Sequence, residues 1–145
     1  MLSRGAGRAG RRAMSSSASA SRVLASTDEV AERLGDLIVL DASWHMPGSG
    51  RDAKEEFLRE AIPGSGFFDV DDVCDKSSPY PHMVPSGEHF RIATARLGLV
   101  DADADVVVYD SHGMFSAARC CESSEVVFVC VCVCVAAAGS LSRQI

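Results

Sequence analysis

Acidic side chains are missing from the start of the sequence: none occurs before Asp28, although five arginines lie in that stretch. The stretch also lacks a long apolar segment, which excludes a secretory signal peptide. A basic segment rich in serine and alanine is instead typical of a mitochondrial transit peptide. We therefore assign residues 1–22 to a basic N-terminal arm that directs the chain to mitochondria. A disordered basic arm without a targeting role is the alternative.

Positive charge and long apolar runs are also scarce over the whole chain. Fourteen lysines and arginines stand against 20 acidic residues, giving a formal net charge of −6. Nucleic-acid surfaces need clustered basic side chains, so we expect no nucleic-acid partner. The longest apolar stretch, residues 126–138, is shorter than the roughly 20 residues of a membrane-spanning helix, so we expect no membrane span. A chain of 145 residues that is 47% hydrophobic can form one domain with its own core.

Strand and helix patterns alternate through the middle of the chain. Apolar runs predict strands at residues 37–40, 66–70 and 105–109. Helices are predicted after Ser26 or Thr27, over residues 52–60, and from Ser86 to about Leu97, because serine and threonine cap helix N-termini. Strands that alternate with helices form βαβ units and a mostly parallel sheet. The predicted fold class is α/β.

Five motifs occur between Asp41 and Arg119. They are DASWHMP, GRDAxxEF, IPGSGFFDVDD, SPYPHMVPS and VVVYDxxGxFSAxR. In this order and spacing they resemble the N-terminal domain of the two-domain rhodanese family, nearest its thiosulfate and 3-mercaptopyruvate sulfurtransferase branch. The resemblance implies a rhodanese-like domain, a mostly parallel sheet flanked by helices, over residues 23–119. We expect this domain to be partial, incomplete at its C-terminal end.

The resemblance also implies a chemistry. Such enzymes move sulfane sulfur from 3-mercaptopyruvate or thiosulfate to a thiol or cyanide acceptor, without a cofactor or metal. Their nucleophilic cysteine directly follows an apolar strand, where this chain has Asp110. An aspartate cannot carry sulfur, so we interpret Asp110 as a cap of the following turn. The family's catalytic domain is a second, C-terminal one, and we expect it to be absent here.

Two positions match motif residues of the mercaptopyruvate branch. The resemblance implies that Asp71 and His82 form part of a triad with a serine of the second domain, so they would form only a partial triad here. A histidine that bonds loop backbone is the alternative for His82. We predict that Arg51 and Asp52 tie their loop to neighbouring backbone, and that Cys74 is a half-buried thiol without redox function.

Residues 120–145 differ from the rest of the chain because valine and cysteine alternate strictly from Val129 to Val135. A run of GT dinucleotides read in frame gives this pattern, so we interpret the tail as aberrant low-complexity sequence. A CxCxC metal site and a strand pairing with the open sheet edge are alternatives. We expect the cysteines to be thiols. An exposed apolar face and an uncharged β segment are expected to self-associate.

These observations favour an inactive, truncated sulfurtransferase isoform, and whether the chain itself is an enzyme stays open. The alternative is a non-catalytic rhodanese-like interaction module. A small thiol or metal protein that uses the Val-Cys run is a third hypothesis.

The N-terminal arm gives a first testable prediction. A reporter fused to residues 1–22 should enter mitochondria, because the arm carries all five arginines. A fusion that begins at Met14 loses four of them and should stay in the cytosol. Equal distribution of both reporters, measured by fractionation or microscopy, would contradict the transit-peptide assignment.

Overall fold

The computed structural model describes residues 24–100, 104–112 and 115–121, and the main chain of residues 122 and 131–134. Four helices and four strands alternate along these segments. In chain order they are α1 (Thr27–Arg33), β1 (Ile38–Asp41), α2 (Ala53–Glu60), β2 (Gly66–Phe67), α3 (Gly87–Ala95), β3 (Val106–Asp110), α4 (Ala117–Glu122) and β4 (Val131–Cys134). The N-terminal arm lies outside the described residues.

The strands form one sheet in the order β2-β1-β3-β4, and every neighbouring pair is parallel. In the register, Leu40 lies opposite Gly66 on one side and Val108 on the other. The predicted α/β class and the mostly parallel sheet are confirmed. Strand β2 is shorter than the predicted 66–70 because the chain turns at Asp69, whose Oδ1 accepts hydrogen bonds from the amides of Asp71 (3.0 Å) and Asp72 (3.2 Å).

The sheet buries a separate apolar layer on each face, because side chains alternate along a strand. Leu40, Val106 and Val108 pack with Phe68 and with residues of α3 and α4. Val39, Val107 and Tyr109 pack on the other face with Val30 of α1. Burial raises the pKa of Tyr109, so the neutral phenol oxygen accepts a hydrogen bond from the Ile62 amide at 3.3 Å. Helices on both faces are what a parallel sheet requires.

Helices α1 and α3 are capped by residues that the sequence predicts, and α2 begins one residue after its predicted start at Asp52. Ser26 caps α1 in a capping box with Glu29, and Asp52 caps α2 by accepting from the Glu55 amide at 2.9 Å. Ser86 caps α3 through the His89 amide at 3.2 Å. Each cap satisfies an amide that the first helical turn leaves without a partner.

The Val-Cys segment supplies the fourth strand. In β4, Val131 lies opposite Val107 and Cys134 opposite Asp110. Pairing with the open edge of β3, one of the alternatives for the tail, is therefore the arrangement observed. The side chains of β4, and with them any CxCxC metal site, lie outside the described residues.

Cys121 is disulfide-bonded, so the expectation of thiols throughout is wrong at this position. Within the described segments, no helix has the length and apolarity needed to cross a membrane.

Candidate functional site

The site lies at the carboxyl edge of the sheet, where the chain leaves β1 and β3. From this central pair the connections run to opposite sides, to β2 and to β4, which makes the pair the switch point of the sheet. Open parallel sheets bind ligands in the crevice at such a point. The two strand ends are joined there: the Ala42 amide donates to the Tyr109 carbonyl at 2.8 Å, and the Ser111 amide donates to Ser43 Oγ at 2.9 Å.

Asp110, at the end of β3, is 1% exposed and its carboxylate accepts hydrogen bonds from three backbone amides. The His112 amide donates to Oδ1 at 2.8 Å. The amides of Ser116 and Ala117 each donate to Oδ2 at 2.8 Å. The carboxylate therefore occupies the anion-binding centre of its own loop and caps the turn into α4, as predicted from the sequence. No thiol stands at this position to receive sulfur.

Asp71 and His82, the two residues suggested by the resemblance, are brought together. The His82 Nδ1 atom lies 3.0 Å from Asp71 Oδ1. This is ion-pair distance, although the atoms lack the alignment of a hydrogen bond, and Nδ1 is buried without a hydrogen-bond partner among the described residues. The ring nitrogen thus faces a carboxylate, and the pair is an imidazole oriented beside an acidic group.

Trp44 connects this pair to β1. Its indole Nε1–H donates to Asp71 Oδ2 at 2.9 Å, so the second carboxylate oxygen is also bonded. The Trp44 ring meets the His82 ring edge-on, with centroids 4.9 Å apart. It stacks on Phe115, which lies in the loop after β3, at 6.2 Å. Trp44, which follows β1, therefore contacts residues that follow β2 and β3.

The backbone of His82 is unusual. Among the described residues it is the only non-glycine residue with positive φ, at 56°. A left-handed residue with a side chain is strained and needs surrounding contacts to persist. One such contact comes from Arg119 of α4, whose guanidinium donates to the His82 carbonyl oxygen.

A second polar group surrounds His45. His45 is 9% exposed, and its Nε2 lies 2.9 Å from Glu56 Oε2. Arg51 binds the same carboxylate with two nitrogens, at 2.8 and 2.6 Å. The expectation that the Arg51 side chain binds backbone is wrong, because a bidentate carboxylate in α2 is within its reach; Asp52 does bind backbone, as the α2 cap. His112 contacts the His45 ring at 4.9 Å.

The Arg51–Glu56 pair has an electrostatic consequence. The hydrogen bond from Arg51, with a smaller contribution from His45, lowers the pKa of Glu56 from 4.5 to about 2. Glu56 is therefore ionised at neutral pH. Through His45 and Arg51 it anchors the loop between β1 and α2. The loop residues after His45 are exposed.

Cys74 is a free, buried thiol whose Sγ donates to the Asp71 carbonyl at 3.0 Å. Lys76 donates to the same carbonyl. Cys74 is therefore more deeply buried than the half-buried position predicted for it. The described residues contain no cluster of three or more His, Cys, Asp or Glu side chains that could hold a metal ion.

The sequence patterns single out Asp71, His82 and Asp110 but not Trp44, Glu56 or Arg119. The partners of the last three lie 27 positions away for Trp44, 5 and 11 for Glu56, and 37 for Arg119. No spacing rule connects such pairs; the only signal is that each lies inside one of the five motifs.

Comparison with known proteins agrees with this geometry. The chain is 47% identical over 106 residues to the human 3-mercaptopyruvate sulfurtransferase, a match that covers 68% of this chain and 35% of the relative. It is 51% identical over 85 residues to the chicken thiosulfate sulfurtransferase. Among solved structures, SseA from Escherichia coli, a rhodanese-fold 3-mercaptopyruvate sulfotransferase, matches with a TM-score of 0.72 and 32% identity, over 85% of this chain and 48% of SseA.

The chain is a homologue of the rhodanese-fold sulfurtransferases. Tum1 from Saccharomyces cerevisiae, at a TM-score of 0.67 and 35% identity, shares the fold. The chain spans about a third of the length of the curated relatives it matches. No protein-family model matches it.

The three backbone amides that bind the Asp110 carboxylate give a stability prediction. Replacing Asp110 with alanine leaves two buried amides and one partly buried amide without an acceptor, so we expect a loss of about 3 kcal/mol in the free energy of unfolding. Urea denaturation measures the loss. Asp72→Ala is the matched control, because Asp72 is an exposed aspartate, and it should change stability by no more than about 0.5 kcal/mol. Equal effects of the two variants would contradict the bonding described for Asp110.

Glu56 gives a pH prediction. Its pKa is lower in the folded chain than its ordinary value of 4.5, so its contribution to stability is fully present above about pH 4.5 and is lost as the pH falls towards about 2. Glu56→Gln should therefore cost about 1 kcal/mol at neutral pH, and less near pH 3. Unfolding free energies at both pH values measure the difference. Glu55→Gln, at the exposed neighbouring position, is the control; a Glu56→Gln cost that does not depend on pH would refute the pairing.

Proposed function

We propose that this chain represents the part of a sulfurtransferase that supplies the Asp71–His82 pair. The reaction is the transfer of sulfane sulfur from a small-molecule donor, 3-mercaptopyruvate or thiosulfate, to a thiol or cyanide acceptor. The observation that carries the proposal is the 3.0 Å approach of His82 Nδ1 to Asp71 Oδ1 in a rhodanese-fold crevice. The names of the relatives support both donors.

The described residues supply proton handling and orientation rather than the nucleophile. A carboxylate beside an imidazole keeps the ring in one orientation, which suits a group that gives or takes a proton during transfer. Sulfur itself needs a thiolate in an amide cradle, and here Asp110 fills that cradle. A second domain with its own cysteine would have to face this crevice, with a serine completing the triad.

The mitochondrion is the compartment we propose, with a cytosolic form starting at Met14. The Arg-rich arm supports it, and one relative, from Arabidopsis thaliana, is named as mitochondrial. The reporter fusions of residues 1–22 test this part of the proposal.

A non-catalytic interaction module is the second candidate. Large apolar side chains stand exposed beside the crevice, including Tyr80 (70%), Met46 (62%) and Phe115 (61%). Such a surface suits contact with another protein domain or with a second copy of the chain. This function predicts binding without turnover, whether or not a catalytic domain is joined to the chain.

Assays of sulfur transfer distinguish the sulfurtransferase part from the interaction module. The chain alone should release no thiocyanate above background from thiosulfate or mercaptopyruvate with cyanide, because Asp110 cannot form a persulfide. Cyanolysis assays and mass spectrometry of the donor-treated chain measure this. Persulfide on the chain with several turnovers would overturn the assignment of Asp110.

A chimera supplies the positive control. Residues 24–119 replace the matching segment of the human 3-mercaptopyruvate sulfurtransferase, whose own remaining chain provides the rest. We expect turnover in the chimera, and a loss of about a hundredfold when His82 is changed to alanine, the usual scale for a positioned proton-transfer group. A chimera that folds but whose turnover does not depend on His82 would favour the interaction module.

A further inference from the structure

We propose that Arg119 is a positioning residue: by binding the His82 carbonyl oxygen, it holds His82 in its left-handed conformation and keeps the imidazole between Asp71 and Trp44. The inference deepens the proposed function and rests on the role given there to His82. It assigns a task to the last residue of the motif VVVYDxxGxFSAxR, which sequence patterns leave without one.

The backbone of His82 is held in a strained conformation. At φ 56° its β-carbon crowds the backbone, and a histidine alone would relax to negative φ. The next residue is tied back across the loop, because the Asp75 amide donates to the Met83 carbonyl at 2.9 Å. Relaxation at His82 would turn its carbonyl and move its ring.

A hydrogen bond from Arg119 opposes this relaxation. The Arg119 guanidinium reaches the His82 carbonyl from α4, 37 positions along the chain. A hydrogen bond from a charged donor is stronger than a neutral one, and it is comparable with the strain of a single left-handed residue. Helix α4 is itself anchored, since the amides of Ser116 and Ala117 at its start bind the buried Asp110 carboxylate.

The backbone conformation of His82 determines where its imidazole ring lies. With His82 left-handed, Nδ1 lies 3.0 Å from Asp71 Oδ1, and the His82 and Trp44 rings form an edge-to-face contact with centroids 4.9 Å apart. Trp44 is held independently through its hydrogen bond to Asp71. The contact between Trp44 and His82 therefore reports whether His82 keeps its conformation.

Trp44 is the only tryptophan in the chain, so its fluorescence is a specific probe of this contact. A protonated imidazole in contact with an indole quenches its emission. Emission is measured on the full chain between roughly pH 8 and roughly pH 5, the range in which histidine takes up a proton. The share of quenching due to His82 is the difference between the unaltered chain and His82→Asn, which leaves His45 and His112 in place.

We expect Arg119→Met to lose the His82-dependent quenching and to match His82→Asn. Arg119→Lys, which keeps a cationic donor, should retain most of it. Full quenching in a folded Arg119→Met chain would overturn the proposal, as would the same loss in Arg119→Lys. The emission maximum shows whether each variant is folded.

An unfolded Arg119→Met chain would be replaced by Arg119→Gln, which keeps a neutral donor and should lose part of the quenching. If that variant also unfolds, Arg119 serves the fold as a whole and the proposal is overturned. The readout does not depend on turnover. Loss of quenching in Arg119→Met together with a His82-independent chimera would remove the proposed function and leave the positioning of His82 intact.

Discussion

The carboxylate of Asp110 is the group on which the site depends. Placed at the end of a fully buried strand, it would be costly to bury without partners, and three backbone amides of the following loop and helix provide them. The same bonds determine where α4 begins and so where Arg119 stands. They also support the proposal that this segment provides no sulfur carrier, because an aspartate bound in this way cannot carry sulfur.

The crevice beside Asp110 is assembled from three strand ends. Trp44 follows β1, Asp71 and His82 follow β2, and Phe115 follows β3. A parallel sheet brings these ends to one edge whatever their separation in sequence. Trp44 then bonds the carboxylate and contacts the imidazole. The Asp71–His82 pair lies on a polar loop, and His82 is about one third exposed. Trp44 holds the pair in place through these two contacts. A half-exposed pair of this kind suits a site completed by another domain.

Local structure was predictable where it depends on neighbouring residues. The caps at Ser26, Asp52 and Ser86 follow from one side chain and the next turn of helix, and the strands follow from apolar runs. The length of β2 was not predictable, since its end depends on Asp69 accepting two amides. The partner of Arg51 was not either: backbone and the Glu56 carboxylate were both in reach, and the fold of the β1–α2 loop selected the carboxylate.

The sequence by itself determined the α/β class and the family resemblance, because these depend on residue type, periodicity and motif order. Through the resemblance it also predicted that Asp110 stands where the family has its nucleophile. It also named Asp71 and His82 as a pair, through the resemblance alone. Only the tertiary structure decided that Trp44 bridges them, that His82 is left-handed and bound by Arg119, and that the Val-Cys segment pairs with β3. These features are contacts between residues far apart in the chain, and a contact of that kind exists only once the sheet has brought its strand ends together.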